Sequence, residues 1–210
     1  MEATNHNQIR LQFGTTAIQR RYKMKSLITF DKSILDVGCG EGFYAIPFSK
    51  NIGDFFYYAI DVNEEKVNLV QQKANKAEIE NIITFTSIEK FLENYNDETV
   101  DIIITEVIEH MTIEDSSRFL RKIIQHVDFD KLIVTTPNYE FNRHYLLDGF
   151  RHDDHKWEMT RAEFQQWMKE IVGASFQCDF FGIGDSVDGV QTTQGVIIQK
   201  QSKELEAHVT

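Results

Sequence analysis

At 210 residues, with 41% hydrophobic and 12% aromatic content, the chain suits one α/β domain; a disordered polymer is excluded and a second core has little room. The opening residues carry no signal-type apolar stretch and no apolar run reaches the roughly 18 residues of a membrane helix. Cys39 and Cys178 can form at most one bridge, so a reducing, cytoplasmic setting is expected. The net charge of −11 excludes coating of a long nucleic acid, because phosphate neutralisation needs a basic surface. Any nucleic acid is then met locally, near basic residues such as Arg20, Arg21, Lys23 and Lys25 or those between 143 and 161.

In chain order, Ser33-Ile-Leu-Asp-Val37 reads as a strand ending in a glycine turn, followed by a helix to Lys50. Phe55-Phe-Tyr-Tyr-Ala-Ile60 is a continuous apolar run, the pattern of a strand covered on both faces. Asn63 caps the next helix, with Glu64 and Glu65 in its first turn and Val67 and Val70 on its apolar face. Strands follow at 82–85, 100–104 and 131–135, the last two separated by a helix over 113–127. A loop then runs to Met159, long enough to suggest function over connection. Thr160-Arg-Ala-Glu163 opens a helix with a capping box, and 175–181 and 195–199 close the chain as two strands in a hairpin-like edge. This alternation dictates right-handed crossovers and a parallel sheet with helices on both faces, a doubly wound α/β domain over 31–200. Residues 1–30 form a helical lead-in and 201–210 a frayed tail.

The turn after the first strand, Asp36-Val-Gly-Cys-Gly-Glu-Gly42, sits where such a sheet binds ligands. Its spacing is G-x-G-x-G, not the G-x-G-x-x-G that seats a pyrophosphate on a helix end. S-adenosylmethionine has no phosphate and needs close backbone approach, which Gly38 and Gly40 permit. Asp61, ending the second strand, can accept both hydroxyls of an adenosine ribose. These residues resemble the class I methyltransferase signature, in which Asp36 belongs to the cofactor turn and Ser87 and Ile88 flank the adenine.

Glu106-Val-Ile-Glu-His110 follows the fourth strand. Residues 106, 109 and 110 stand at i, i+3 and i+4, so a helical first turn projects all three from one face, where they can share a divalent cation. The same pentapeptide also occurs in small-molecule methyltransferases, so on these residues alone a metal-independent small-molecule O- or N-methyltransferase remains the alternative.

The discriminating segment is Phe150-Arg-His-Asp-Asp-His-Lys-Trp-Glu-Met-Thr-Arg161. Together with Gln19-Arg-Arg-Tyr22, Thr136-Pro-Asn-Tyr-Glu-Phe-Asn142 and the 182–194 segment ending in Thr-Gln, it resembles the small-RNA 3′-terminal 2′-O-methyltransferases, which cap microRNAs and piRNAs and serve bacterial RNA repair. The resemblance implies a Rossmann-like class I fold, a mostly parallel seven-stranded sheet with an antiparallel last strand. It places metal ligands at Glu106, Glu109, His110 and His155; His155 is chosen over His152 because it directly precedes Lys156-Trp157-Glu158. His110 and His155 are also the candidates to take a proton from the hydroxyl. Mixed nitrogen and oxygen ligands favour manganese over magnesium. Trp157 stands where phenylalanine is usual and Met159 where tryptophan is usual, so a repacked loop is expected; His144 and His152 receive no ligand role.

The substrate so implied is an RNA 3′ end with free 2′- and 3′-hydroxyls. A cation acidifies a hydroxyl as it acidifies bound water, and a vicinal pair gives it two handles. Only the last nucleotide offers that pair, so a 3′-phosphate or an existing 2′-methyl should block reaction. Bacterial repair members usually carry a further N-terminal half that works with a kinase–phosphatase–ligase partner. The short stretch before Ser33 leads instead to the expectation of an isolated or stand-alone domain.

Overall fold

The computed structural model describes residues 16–201; the remainder of the expected lead-in and the expected tail beyond 201 lie outside the described residues. Helix α1 (Thr16–Leu27) leads into β1 (Ser33–Val37), α2 (Ala45–Ser49), β2 (Tyr57–Ile60), α3 (Glu64–Lys76), β3 (Ile82–Phe85) and α4 (Ile88–Asn94). There follow β4 (Val100–Thr105), a 3₁₀ turn (Ile108–His110), α5 (Ile113–His126), β5 (Phe129–Pro137), a second 3₁₀ segment (Tyr139–Tyr145), α6 (Arg161–Val172), β6 (Phe176–Val187) and β7 (Val190–Lys200).

The seven strands form one sheet in the order β3-β2-β1-β4-β5-β7-β6. Strands β1 to β5 pair in parallel, and β7 runs antiparallel to both β5 and β6. Every residue of β1 is buried, as befits a strand walled by neighbours and covered on both faces. One core layer gathers Met24 of α1, Phe48 of α2 and Val70 and Ala74 of α3 against Ile34, Tyr57, Ile103 and Ile133. The opposite layer sets Phe91 of α4, Leu120 and Ile123 of α5 and Phe164, Met168 and Ile171 of α6 against Leu35, Ile102, Ile104 and Val134. The expected doubly wound sheet is therefore the observed one.

Four boundaries differ from the sequence reading. Strand β2 starts at Tyr57, not Phe55, because its register with β1 begins at Ile34; Phe55 and Phe56 lie beyond it and are exposed. The helix after the glycine turn is only 45–49. The short helix α4 was not expected, its seven residues giving too brief a pattern to read. The last two strands run far longer than expected and close on the two-residue turn Asp188-Gly189, both with positive φ, which matches the twist of a hairpin. Of these two strands only β6 lies at an edge of the sheet; β7 is inserted between β5 and β6.

In a sheet of this order the direction of winding reverses between β1 and β4, so ligands bind beyond the carboxyl ends of those strands. The segments after β1, β2, β4 and β5 are the glycine turn, Asp61, residues 106–110 and the loop from 138 to 159. No helix of the described residues is long and apolar enough to cross a membrane.

Candidate active site

The glycine turn is assembled by backbone. The amides of Gly38 and Cys39 both donate to the carbonyl of Ile60 at the end of β2, at 2.8 and 2.9 Å. Gly38, Gly40 and Gly42 all have positive φ. A Cβ on Gly38 would come within 2.3 Å of a Val107 methyl, so the turn is in contact with the segment after β4. At Gly40 nothing lies within 4 Å of that position, which leaves its face open to a ligand.

Asp61 locks this corner. Its Oδ2 accepts from the Gly40 amide and its Oδ1 from the Asn63 amide, both at 2.9 Å. Each carboxylate oxygen keeps a lone pair for a ribose hydroxyl. The neighbouring Val62 is 88% exposed, an apolar side chain beside that acid which sequence reasoning passed over. Asp36 is fully buried; Tyr57 donates to its Oδ2 at 2.8 Å, while Oδ1 has no partner among the described residues. Burial pushes its carboxyl up to about 7 against the pull of the Tyr57 hydroxyl, with Asp61 adding to the rise. Ser87 caps α4 by accepting from the Lys90 amide at 3.2 Å, and the Ile88 side chain is buried in the core.

The segment after β4 departs from the expected helical turn. Glu106 takes a left-handed conformation (φ 55°), and only 108–110 form a 3₁₀ turn. Glu109, His110 and His155 converge, with one ligand-type atom of each within 4.8 Å of the others. The imidazoles of 110 and 155 lie 4.9 Å apart, centroid to centroid. Glu106 is not in that cluster: its Oε2 accepts from Arg20 of α1 and its Oε1 from the hydroxyl of Thr135, at 3.1 and 3.0 Å. The four expected ligands therefore divide into a converged three and a fourth held by other partners.

Glu109 is fully buried, with Oε2 accepting from Thr136 at 3.1 Å and Oε1 without a partner among the described residues. Burial, with the Glu106 charge nearby, drives its carboxyl well above the usual carboxylate range. A buried carboxylate with one oxygen unpartnered, beside two imidazoles, is a donor set that fits a divalent cation, and a cation's charge would restore the carboxylate. Each imidazole is also backed by an acid: His155 Nδ1 lies 2.6 Å from Glu158, and His110 Nδ1 lies 3.1 Å from Asp154. A proton shared on Nδ1 leaves the lone pair of a neutral ring on Nε2, the arrangement metal-binding histidines use.

His155 is delivered by a loop that is anchored throughout. The Lys156 amide donates to the Glu109 carbonyl at 2.8 Å, and Gln194 of β7 reaches the carbonyls of Pro137 and Met159, at 3.2 and 2.8 Å, so it ties the loop's two ends. Glu158 accepts from Asn142 and from the Arg151 amide. The Arg151 guanidinium in turn donates to the carbonyls of Thr192 and Asn138 and to the Asn142 side chain. Sequence reasoning missed Glu158, Asn142 and Arg151 as supports. The spacing of Glu158, three residues past His155, was the available signal; nothing in sequence pairs Arg20 with Glu106. Trp157 and Met159 are buried in the core, Trp157 against Trp167 at 5.3 Å, so the two departures from the usual pattern are accommodated by packing. The basic clusters are largely structural. Arg20 serves Glu106, Arg21 lies over Phe43, Lys23 over Phe181, and Arg161 bonds Gln191.

This fold, with a glycine turn and a β2 acid at the reversal point, is that of the class I S-adenosylmethionine-dependent methyltransferases. The family model described as a methyltransferase domain matches residues 28–208, and the chain belongs to that family. It is 27% identical over 205 residues to the small RNA 2′-O-methyltransferase of Schizosaccharomyces pombe, a match covering 82% of this chain and 54% of that one. It is 29% identical to a chain in the structure of a Pnkp1/Rnl/Hen1 RNA repair complex, with a TM-score of 0.75 over 90% of this chain and 42% of that one. The methyltransferase domain of a bacterial Hen1 (CtHen1-C), 23% identical with a TM-score of 0.73 over 90% of this chain and 100% of that one, shares the fold. The chain thus spans about half the length of the fission-yeast relative and less of the repair-complex chain.

Proposed function

We propose that this chain transfers the methyl group of S-adenosylmethionine to the 2′-hydroxyl of the 3′-terminal nucleotide of RNA, and that it does so with a divalent cation, manganese in preference to magnesium. The observation that carries this reading is the convergence of Glu109, His110 and His155, with a buried carboxylate oxygen left open, next to a turn built for the methyl donor. The names borne by the relatives support the RNA substrate, and the two free cysteines support a reducing compartment.

In this reading Asp61 and the open face at Gly40 hold the donor, while the contact between Gly38 and Val107 fixes the distance from that donor to residues 109 and 110. Glu109, His110 and His155 would hold the cation, with Glu106 at its margin in exchange with Arg20. A cation held by these residues would supply Lewis acidity that lowers the pKa of a ribose hydroxyl brought to it. Glu158 and Asp154 hold the Nδ1 side of the two rings and so fix their orientation. His155, Trp157, Glu158 and Met159 are the buried part of the loop, so the imidazole is held firmly and much of the rate would come from positioning.

The test is transfer of a labelled methyl to a short RNA, with manganese, with magnesium and after chelation. Parallel RNAs ending in 2′-deoxy, 3′-deoxy or 3′-phosphate should all fail to react. Activity that survives chelation on a small phenol or amine, in preference to RNA, would establish the metal-independent small-molecule alternative.

A further inference from the structure

We propose that Tyr139 and Phe150 form the subsite that stacks the base of the RNA's terminal nucleotide. This deepens the function proposed above and rests on it. The two rings are 41% and 44% exposed, lie 6.4 Å apart and stand at 78° to one another. Such a pair makes a corner, in which a flat heterocycle lies on one ring face and presents its edge to the other. The other exposed aromatics among the described residues are Tyr22, Phe43, Phe55 and Phe56, and none of them lies on the loop that carries His155.

Continuity with the site comes from backbone. The amide that joins Phe150 to Arg151 donates to Glu158 Oε1 at 2.6 Å, the same oxygen that meets His155 Nδ1. Phe150 is therefore one peptide bond away from the acid that aims a ligand histidine. On the other side, the Tyr139 amide donates to the carbonyl of Met159, and Asn138 bridges to Met159, which pins Tyr139 to the same loop. Gly149, at φ 146°, makes the turn into Phe150 in a conformation that side-chain-bearing residues rarely adopt. Both rings are held by the scaffold of the site, yet their own faces are left to solvent.

The occupant follows from the geometry of a nucleotide. If the terminal ribose presents both hydroxyls to residues 109, 110 and 155, its base projects from the far side of the sugar and needs a sequence-tolerant support. Aromatic faces give that to every base, so selection among the four should be weak, with purines favoured over pyrimidines.

The experiment measures binding of a short RNA, labelled at its 5′ end, to the full chain with manganese and S-adenosylhomocysteine. The RNAs end in a normal nucleotide or in an abasic ribose with both hydroxyls. For the wild-type chain, removing the base should weaken binding by about tenfold. Phe150→Ala and Tyr139→Ala should each lose a similar factor with normal RNA and little more with abasic RNA. Phe150→Tyr and Tyr139→Phe should restore binding, and S-adenosylhomocysteine affinity should stay constant throughout as a check on folding. Equal binding of normal and abasic RNA by the wild type overturns the proposal, as do alanine variants that bind like the wild type. A self-associating wild type that turns monomeric in Phe150→Ala assigns the corner to a second copy, and likewise overturns it. Failure of the underlying function has a different signature: in a parallel assay with S-adenosylmethionine, the wild-type chain then methylates neither RNA.

Discussion

The glycine turn and the histidine corner face each other across Gly38 and Val107, yet they are made by opposite means. The turn is local and backbone-built: Gly38, Cys39 and Gly40 are positioned by amides that end on Ile60 and Asp61, so few side chains are needed. The histidine corner is assembled from distant pieces. His155 reaches Glu109 only because Asn142, Arg151, Glu158 and Gln194 bind the loop to β5 and β7. Substitutions at the turn should act on cofactor binding and stability, whereas those at the corner should act on chemistry and metal affinity while the cofactor still binds.

The largest effect separates the two regions outright. His155→Ala or Glu109→Ala should lower methyl transfer by on the order of a thousandfold. S-adenosylhomocysteine affinity, read by calorimetry, should move by less than about threefold. A comparable loss of cofactor affinity would merge the regions. Next, Glu158→Gln should weaken manganese binding by roughly 10–100-fold, because the second ring nitrogen of His155 loses its charged partner; titration followed by electron paramagnetic resonance would show it.

Gly38→Ala probes the seam itself. A methyl group at positive φ, 2.3 Å from Val107, should cost about 1–3 kcal/mol of stability, read by denaturant unfolding, and weaken the cofactor site as well. An unchanged midpoint would mean that the turn and the 106–110 segment are not in contact.

The smallest effect is a pH slope. Asp36, raised to about 7 by burial, holds in the folded state a proton that the unfolded chain, at its ordinary 3.8, has already released. Its contribution is present below pH 4 and is lost as pH rises through 7. Asp36→Asn should flatten that part of the curve, seen as Tm against pH, and an unchanged slope would assign the titration elsewhere.

The contrast also explains what the sequence revealed. A turn made by neighbouring residues leaves a spacing, so the turn at Gly38 and Gly40 and the strand-end acid Asp61 were legible, as were the parallel α/β alternation and the Thr160–Glu163 capping box. The corner was legible only in part. Glu109, His110 and His155 stand in recognisable strings, but the left-handed backbone at Glu106 and its pairing with Arg20 depend on contacts across 86 positions. Ser87 and Ile88 open a seven-residue helix too short to read from sequence, which takes their side chains into a cap and the core. Arg151 and Arg161 belong to a basic stretch read as a place to meet nucleic acid, yet Arg151 is largely enclosed and both donate to carbonyl and amide oxygens of the chain.

The most direct measurement is chemical. Periodate cleaves a terminal ribose only while its 2′- and 3′-hydroxyls are both free, so a methyl on the 2′-oxygen protects the RNA. After incubation with S-adenosylmethionine and manganese, the wild-type chain should render a short RNA periodate-resistant, and His155→Ala should leave it fully sensitive. Labelled methyl on an RNA that periodate still cleaves, or protection that persists after chelation, would contradict the account.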